Sequence, residues 1–367
     1  MSNKSILHVV NIYFVLPYFI GDQFLYFNNK GYKLHVICSP SEHIHNYALE
    51  KKFSYKEISI LRSISILQDI KSIVLICKYI KSNKIDIVCG HTPKGALLSM
   101  IAASIMRVPK RIYFRHGLVY ETSNKFQRNL LIFLDRITSK FATKIVCVSP
   151  SVYKCSLEDK LNEESKQIIL GKGTCGGIDS LNKFNPDKID FKKLEVLRRQ
   201  LKLSSSNFVL GYCGRLVKDK GIIDLIDAFN KLSAEQKSEI KILLVGDYEE
   251  RDALPAEITV LINNDDNIIK TGFIYSDIEY YYSLMNVFIL PSYREGFPTS
   301  VLEASAMKLP VLTTRVSGCI DSIIDGETGF FDTSVGFNAA MSGNFINVGD
   351  LLINPKSINL YFESVKT

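Results

Sequence analysis

The feature that most constrains the fold of this chain is the alternation of short Val- and Ile-rich runs with longer segments of helical periodicity. Residues 144–149 are one such run, and strands that are buried on both faces of a parallel sheet have this composition. In residues 66–82, apolar side chains recur at roughly helical spacing. Alternation of this kind predicts doubly wound parallel sheets with helices between the strands.

The predicted elements fall into two similar halves. In the first half, strands are predicted at residues 6–12, 33–39, 55–60, 85–91, 111–116 and 144–149, with helices at 21–29, 66–82, 95–107 and 125–141. In the second half, strands are predicted at residues 208–213, 241–245, 268–271, 287–290 and 311–314, with helices at 221–232, 276–285 and 300–307. A chain of 367 residues exceeds the usual size of one domain. We therefore predict an N-terminal domain at residues 1–185 and a C-terminal domain at 186–367.

Charge is distributed unevenly between the halves. Residues 1–180 contain 25 Lys and Arg against 13 Asp and Glu, whereas residues 181–367 contain 20 against 25. No helix-turn-helix, zinc-finger or aromatic RNA-binding signature accompanies the basic half, so nucleic acid is not an expected partner. An anionic membrane surface or a phosphate-bearing acceptor fits the excess charge equally well. No run of 18 apolar residues predicts a membrane span, and we read the apolar start of the chain as a buried strand.

The loop after the predicted strand 287–290 has the strongest chemical signal. Glu295 and Glu303 are eight residues apart, and a helix is predicted to open between them. The backbone N–H groups at such a helix start suit a diphosphate, and carboxylates accept hydrogen bonds from sugar hydroxyls. Taken alone, the two carboxylates are equally consistent with a purely structural role, in which they stabilise the helix N-terminus and bind no ligand.

A second motif, residues 211–221, follows the apolar residues 208–210 and precedes the helix predicted to begin at residue 221. Gly214 allows close approach of a ligand to the backbone. Arg215 and Lys220 supply two kinds of phosphate partner, a planar fork and a point charge. By itself this loop is also compatible with an ordinary solvent-exposed surface. Two phosphate-compatible loops at strand ends of one domain are a more specific pattern.

Together these motifs resemble the retaining glycosyltransferases of family 4, which have the two-domain GT-B fold. The likeness rests on Gly214-Arg215, Lys220-Gly221, Gly272-Phe273 and the E-x7-E spacing of Glu295 and Glu303, and it covers about residues 5–332. Segments 91–95, 111–118, 146–151 and 171–179 are similar to those of bacterial enzymes that build O-antigen, capsular or lipid-linked glycans. The resemblance implies two Rossmann-like domains that face a cleft.

The resemblance also assigns roles to individual residues. It implies that Arg215 and Lys220 hold the donor diphosphate, that Glu303 binds the ribose, and that Glu295 contacts the donor sugar. His116 would lie near that sugar, although a histidine at a strand end is often structural. These assignments make His116, Arg215, Lys220 and Glu295 the predicted catalytic residues. The remaining predicted donor-binding residues are Gly214, Gly272, Phe273, Ile274, Gly296, Phe297, Pro298, Thr299 and Ser300.

The expected reaction moves a sugar, an N-acetylated hexose by resemblance, from a UDP-sugar to a polyprenyl-diphosphate-linked glycan. No D-x-D triplet occurs in the sequence, so we expect neither a metal nor another cofactor. The expected location is cytoplasmic, at the inner face of the membrane. The alternatives are a nucleotide-sugar epimerase and an inactive nucleotide-sugar-binding homologue. The glycine-rich turn that many family members carry after the first strand is missing, and residues 337–367 show the family's C-terminal crossing helix poorly.

Overall fold

Both halves of the chain form parallel sheets with helices between successive strands. The computed structural model describes residues 4–174 and 176–332. By its contacts the chain divides into two units, Met1–Gly177 and Ile178–Thr367, whereas the predicted boundary lies between residues 185 and 186. The segment expected to hold the crossing helix, residues 337–367, lies outside the described residues. Within the described part, no helix is both long and apolar enough to cross a membrane.

The N-terminal unit is built on a parallel sheet of seven described strands in the order β3-β2-β1-β4-β5-β6-β7. The strands are β1 (Ser5–Val9), β2 (Lys33–Cys38), β3 (Ser54–Glu57), β4 (Ile87–Gly90), β5 (Lys110–Arg115), β6 (Lys144–Cys147) and β7 (Gln167–Ile169). Its helices are α1 (Gln23–Asn29), α2 (Ile44–Lys51), α3 (Ile66–Asn83), α4 (Pro93–Ile105), α5 (Lys125–Phe141) and α6 (Pro150–Glu158). The strand order reverses direction between β1 and β4.

The described part of the C-terminal unit repeats this plan with six parallel strands in the order β10-β9-β8-β11-β12-β13. The strands are β8 (Phe208–Cys213), β9 (Ile240–Val245), β10 (Ile268–Gly272), β11 (Val287–Leu290), β12 (Val311–Thr314) and β13 (Gly329–Asp332). Its helices are α7 (Phe191–Gln200), α8 (Ile222–Asn230), α9 (Ala234–Glu239), α10 (Ala256–Asn264), α11 (Ile278–Ser283) and α12 (Thr299–Ala306). Here the order reverses between β8 and β11, which makes that junction the expected ligand site of a doubly wound sheet.

Several inner strands are buried along their whole length, as their composition predicts. Every residue of β1, β11 and β12 is buried. Helices cover both faces of such strands, so no polar alternation is needed. The predicted doubly wound fold is therefore confirmed in each unit.

The helical spacing of residues 66–82 is confirmed by α3, but its apolar side chains do not share one face. Ile70 and Leu75 are exposed, whereas Ile76 and Ile80 are buried. The helix carries apolar side chains on its outer surface as well as on its inner one. The periodicity located the helix correctly but could not distinguish these two faces.

Candidate functional site

Two glycines bring the loops of the C-terminal unit into contact at the reversal of strand order. Gly221 follows the β8 loop with φ of 68°, and a Cβ atom there would overlap the carbonyl oxygen of Pro291 at the end of β11. Gly246 follows β9, and a Cβ atom there would overlap the carbonyl oxygen of Gly214. The loops after β8, β9 and β11 are thus packed backbone against backbone at one edge of the sheet.

Lys220 and Glu295 meet at this edge, one from each loop. Lys220 Nζ lies 2.6 Å from Glu295 Oε1, and each side chain is only 14% exposed. The ammonium also donates to the carbonyl of Arg294 at 3.2 Å. The structure therefore brings together a predicted phosphate-binding cation and a predicted sugar-binding carboxylate.

A second ion pair braces the same two loops. Arg294 pairs with Asp219 at 2.7 Å, and the backbone N–H of Asp219 donates to Asp252 at 2.7 Å. Ser292 donates to the carbonyls of Asp219 and Arg294. These contacts hold the backbone on either side of Lys220 and Glu295, so both side chains start from fixed positions.

Arg215 is the more exposed of the two predicted phosphate-binding cations, with 44% of its side chain accessible. Its guanidinium pairs with Glu249, in the loop after β9, and its carbonyl accepts a hydrogen bond of 2.8 Å from the Tyr212 hydroxyl. Sequence reasoning missed Glu249. The sequence signal that could have identified it is its position: an acidic residue three positions after Gly246, in the loop that follows a buried strand.

Glu303 lies in α12 and is partly exposed. The hydroxyl of the buried Tyr282 donates to Glu303 Oε2 at 2.7 Å. Burial raises the pKa of Glu303 from 4.5 to about 7, against the opposing effect of the Tyr282 hydrogen bond. The carboxyl is therefore poised between its two protonation states near neutral pH.

The other predicted donor-binding residues flank these groups along the same edge of the sheet. Gly272 ends β10 with φ of 72°, the Phe273 side chain is 40% exposed, and Ile274 packs on the core. The remaining residues form the turn into α12, which begins at Thr299: Gly296, Phe297, Pro298, Thr299 and Ser300. Except for Pro298, which is buried, the side chains or backbone of this turn are partly accessible.

His116 belongs to the N-terminal unit, where it directly follows β5. Its Nε2 lies 3.0 Å from Nδ1 of His91, and the Phe19 ring packs beside it, with centroids 4.3 Å apart and planes inclined by 33°. Burial lowers the pKa of His116 from 6.5 to about 4, so its imidazole is neutral at pH 7. His91 in turn lies 3.0 Å from His8. Sequence reasoning missed His8 and noted His91 only within a motif.

Neither set of side chains is arranged as a metal centre. Across residues 4–174 and 176–332, no group of three or more His, Cys, Asp or Glu residues is placed to hold a metal ion. The three histidines hydrogen-bond in a row rather than converging on one point. The chemistry available at the C-terminal edge is instead that of two cations and two sugar-compatible carboxylates.

Comparison with known proteins follows the division into two units. The family described as "Glycosyl transferase 4-like" matches residues 5–149, and that described as "Glycosyl transferases group 1" matches residues 194–335. The capsular polysaccharide biosynthesis glycosyltransferase CapM of Staphylococcus aureus is 33% identical over 339 residues, which are 92% of this chain and 86% of CapM.

A second relative and a solved structure extend the likeness. The Escherichia coli UDP-Gal:alpha-D-GlcNAc-diphosphoundecaprenol alpha-1,3-galactosyltransferase is 25% identical over 292 residues, 79% of this chain and 73% of that enzyme. The crystal structure of Anabaena HepE with UDP-glucose matches with a TM-score of 0.76 at 17% identity, covering 98% of this chain and 92% of that one. The structural likeness confirms the predicted GT-B fold.

Proposed function

The chain belongs to the glycosyl transferases group 1 and is a glycosyltransferase, and on that premise we propose that it transfers an N-acetylated hexose from a UDP-sugar to a polyprenyl-diphosphate-linked saccharide. The reaction retains the anomeric configuration and serves bacterial surface polysaccharide synthesis. The observation that carries this proposal is the Lys220–Glu295 pair of 2.6 Å at the reversal of strand order, with Arg215 in the same loop as Lys220.

Lys220 and Arg215 have the charge that the departing group requires. As the bond between the anomeric carbon and the diphosphate breaks, negative charge grows on the leaving oxygen, and two cations held by the fold stabilise it. The acceptor hydroxyl forms the new bond from the same face of the sugar. Its proton passes to the departing phosphate, so no separate protein base takes part.

The carboxylates complete the donor site in this proposal. Glu295, already anchored by Lys220, accepts hydrogen bonds from sugar hydroxyls, and Glu303 accepts them from the ribose diol. Gly272, Phe273 and Ile274 lie beside the base, and the turn from Gly296 to Ser300 lines the sugar and diphosphate. His116 acts at the transferred sugar as a neutral imidazole, a role that remains a prediction from the resemblance. No metal or other cofactor enters this scheme.

The outer surface of α3 fits peripheral attachment to an anionic membrane. Ile66, Leu67, Ile70 and Val74 are all exposed, with Leu67 85% accessible. Four exposed lysines accompany these side chains: Lys71, Lys78 and Lys81 in the helix, and Lys84 directly after it. Apolar side chains that enter the headgroup region, together with lysines that attract anionic lipid, are the two contributions that hold a helix in the membrane interface. We place the enzyme on the cytoplasmic face, where polyprenyl-diphosphate acceptors would reach it.

Transfer is tested with radiolabelled UDP-sugars, N-acetylated and not, offered with polyprenyl-diphosphate-linked saccharides. We expect lipid-linked product with one UDP-N-acetylhexose and none without acceptor. Product formed only from UDP-galactose would overturn the choice of sugar, in keeping with the donor named for the Escherichia coli relative. An isomerised UDP-sugar without acceptor would indicate the epimerase, and binding of UDP without turnover the inactive homologue.

Membrane attachment is tested by sedimentation with vesicles of anionic and of neutral lipid. We expect the protein to pellet with anionic vesicles at low salt and to be released at high salt. Replacing the four exposed lysines in and directly after α3 by Gln should abolish pelleting, whereas Lys192→Gln with Lys193→Gln on α7 should not. Equal pelleting with neutral vesicles would contradict the electrostatic part of the proposal.

A further inference from the structure

Three histidines form a hydrogen-bonded row across three neighbouring strands of the N-terminal sheet. His8 lies in β1, while His91 and His116 directly follow β4 and β5, which are the next two strands in the sheet. Nδ1 of His8 is 3.0 Å from Nε2 of His91, and Nδ1 of His91 is 3.0 Å from Nε2 of His116. His91 therefore uses both of its ring nitrogens, each toward another histidine.

The chemistry of imidazole makes this row cooperative. A neutral ring has one N–H donor and one acceptor nitrogen, so each contact needs the proton on one side only. Either every ring is protonated at Nδ1, or every ring is protonated at Nε2. Changing the tautomer of one ring leaves a donor facing a donor or an acceptor facing an acceptor.

The row is held in an apolar environment that favours the neutral rings. His8 and His91 are buried, and His91 stacks on Phe114 with ring centroids 4.6 Å apart and planes inclined by 11°. Phe24 packs edge-on to His8. Burial lowers the pKa of His8 to about 4, as it does for His116. An apolar setting strengthens each hydrogen bond and makes a mismatched pair costly.

The backbone next to His91 is strained, which indicates that its position is held by its surroundings. Thr92 has φ of 62° and ψ of 150°, a region occupied almost only by glycine, and it precedes Pro93, which favours extended conformations. Its hydroxyl donates to the carbonyl of His91 and accepts from the N–H of Gly95. A β-branched residue remains in this conformation only where several contacts require it.

We propose that His8 and His91 are positioning residues that set the tautomer of His116. The hydrogen bonds from His8 in β1 through His91 determine which ring nitrogen of His116 carries the proton. The row thereby decides whether Nδ1 of His116 is a donor or an acceptor. A sugar hydroxyl can do either, so a fixed tautomer selects one orientation of it. This last step rests on the proposed function, whereas the coupling of the tautomers does not.

The coupling is tested by NMR of the full-length protein labelled with ¹⁵N-histidine, in which the two-bond ¹H–¹⁵N correlations report the tautomer of each ring. We expect one shared tautomer for the three rings in the wild-type protein at pH 7. His8→Phe should leave His91 and His116 as mixtures of tautomers. His8→Asn, whose amide can either donate to or accept from Nε2 of His91, should keep that hydrogen bond and still leave both tautomers populated. Mixed tautomers in the wild-type protein, or an unchanged His116 in His8→Phe, would refute the proposal.

Two further variants keep the test decisive if His8→Phe fails to fold. His91→Phe preserves the stacking on Phe114 and removes both hydrogen bonds, so His116 should lose its single tautomer. His45→Phe removes an exposed histidine outside the row and should leave the three signals unchanged. A single, wild-type tautomer of His116 in His91→Phe would overturn the coupling.

Kinetics connect the row to catalysis. In His8→Phe and His91→Phe we expect kcat to fall roughly 10-fold with donor KM unchanged. If kcat is unchanged in a variant in which His116 is a mixture of tautomers, the histidine row has no role in the reaction. A wild-type protein that transfers no sugar would refute the proposed function, while the spectra would still decide the coupling.

Discussion

The two units place very different chemistry at the same point of the same topology. In each sheet the strand order reverses beside the first strand, between β1 and β4 or between β8 and β11. At the N-terminal reversal, three neutral imidazoles lie in a row. At the C-terminal reversal, Lys220–Glu295 and Arg215–Glu249 form ion pairs. The fold supplies an edge where loops converge, and the side chains at that edge decide what it can bind.

The sharpest test of this contrast removes a charge from the C-terminal edge. Lys220→Ala should lower the rate of transfer by about 10²–10³-fold, because the leaving diphosphate loses a cation held in place for it. Radiolabel transfer measures the effect, and Lys218→Ala, an exposed neighbour of equal charge, is the control. Near-normal turnover of a folded Lys220→Ala protein would remove the basis of the donor site. The affinity for UDP should be unchanged in His8→Phe, since that row carries no charge.

The second test compares the glycines that bring the loops and helices together in each unit. Gly221→Ala should cost roughly 2–4 kcal/mol in the free energy of unfolding, because the new Cβ meets backbone and φ is positive. Gly90→Ala should cost less, since its Cβ would approach the side chain of Ser99 as well as the backbone of Ala96, without a positive φ. Chemical denaturation measures both. Equal losses of unfolding free energy would show that the two sites accept an added Cβ atom equally well.

The third test uses pH, to which the two edges should respond oppositely. The folded-state pKa of Glu303 is raised to about 7. Its contribution to the free energy of unfolding is therefore fully present below pH 4.5 and is lost as the pH rises through 7. The folded-state pKa of His8 is lowered from 6.5 to about 4, so stability is highest above pH 6.5 and falls as the pH drops toward 4. Each change is on the order of 3 kcal/mol.

Hydrogen exchange resolved by peptide, and corrected for the intrinsic rate at each pH, distinguishes the units. Between pH 6.5 and 5, the N-terminal unit should lose protection and the C-terminal unit should gain it. In Glu303→Gln the gain should vanish, and the loss in the N-terminal unit should persist. Parallel changes in both units would contradict the assigned pKa shifts.

The smallest expected effect concerns the partner of Arg215. Glu249→Gln should tighten UDP binding by up to about fivefold, because Arg215 no longer has to break its ion pair with Glu249 before it can bind the diphosphate. The effect is small because an exposed ion pair contributes no more than about 1 kcal/mol. Calorimetric titration with UDP measures this. Glu250→Gln, the same change of charge at an exposed neighbour, is the control. A fall in affinity relative to that control would show that Glu249 supports donor binding instead.

The sequence predicted the C-terminal edge better than the N-terminal one, for a physical reason. Arg215 and Lys220 lie in one loop, and Glu295 and Glu303 flank one turn, so short motifs bring them near each other. His8, His91 and His116 are distant in sequence and meet only because their strands are neighbours in the sheet. No local pattern signals such a meeting.

The missed elements have similar explanations. Strands β7 and β13 were not predicted. Strand β7 has only three residues, and its buried Gln167 accepts a hydrogen bond from Arg115, so it lacks the apolar run that identified most of the other strands. Helix α9 is short and buries none of its residues, so no periodicity marks it. By contrast, β8, β11 and α5 have the predicted bounds. The two strands are marked by uninterrupted apolar runs, and the helix by its strong amphipathicity.

The backbone-to-backbone packing around Gly221 and Gly246 bears on attempts to alter what the enzyme transfers. Any side chain at these positions displaces whole loops, so libraries that randomise them would return mostly collapsed or inactive protein. Donor preference in the proposed site is better explored at the accessible side chains of Phe273 and Phe297, which we expect to line it, because neither position is packed against backbone as the two glycines are. The part of the site that is packed backbone against backbone is thus the part that protein engineering should leave untouched.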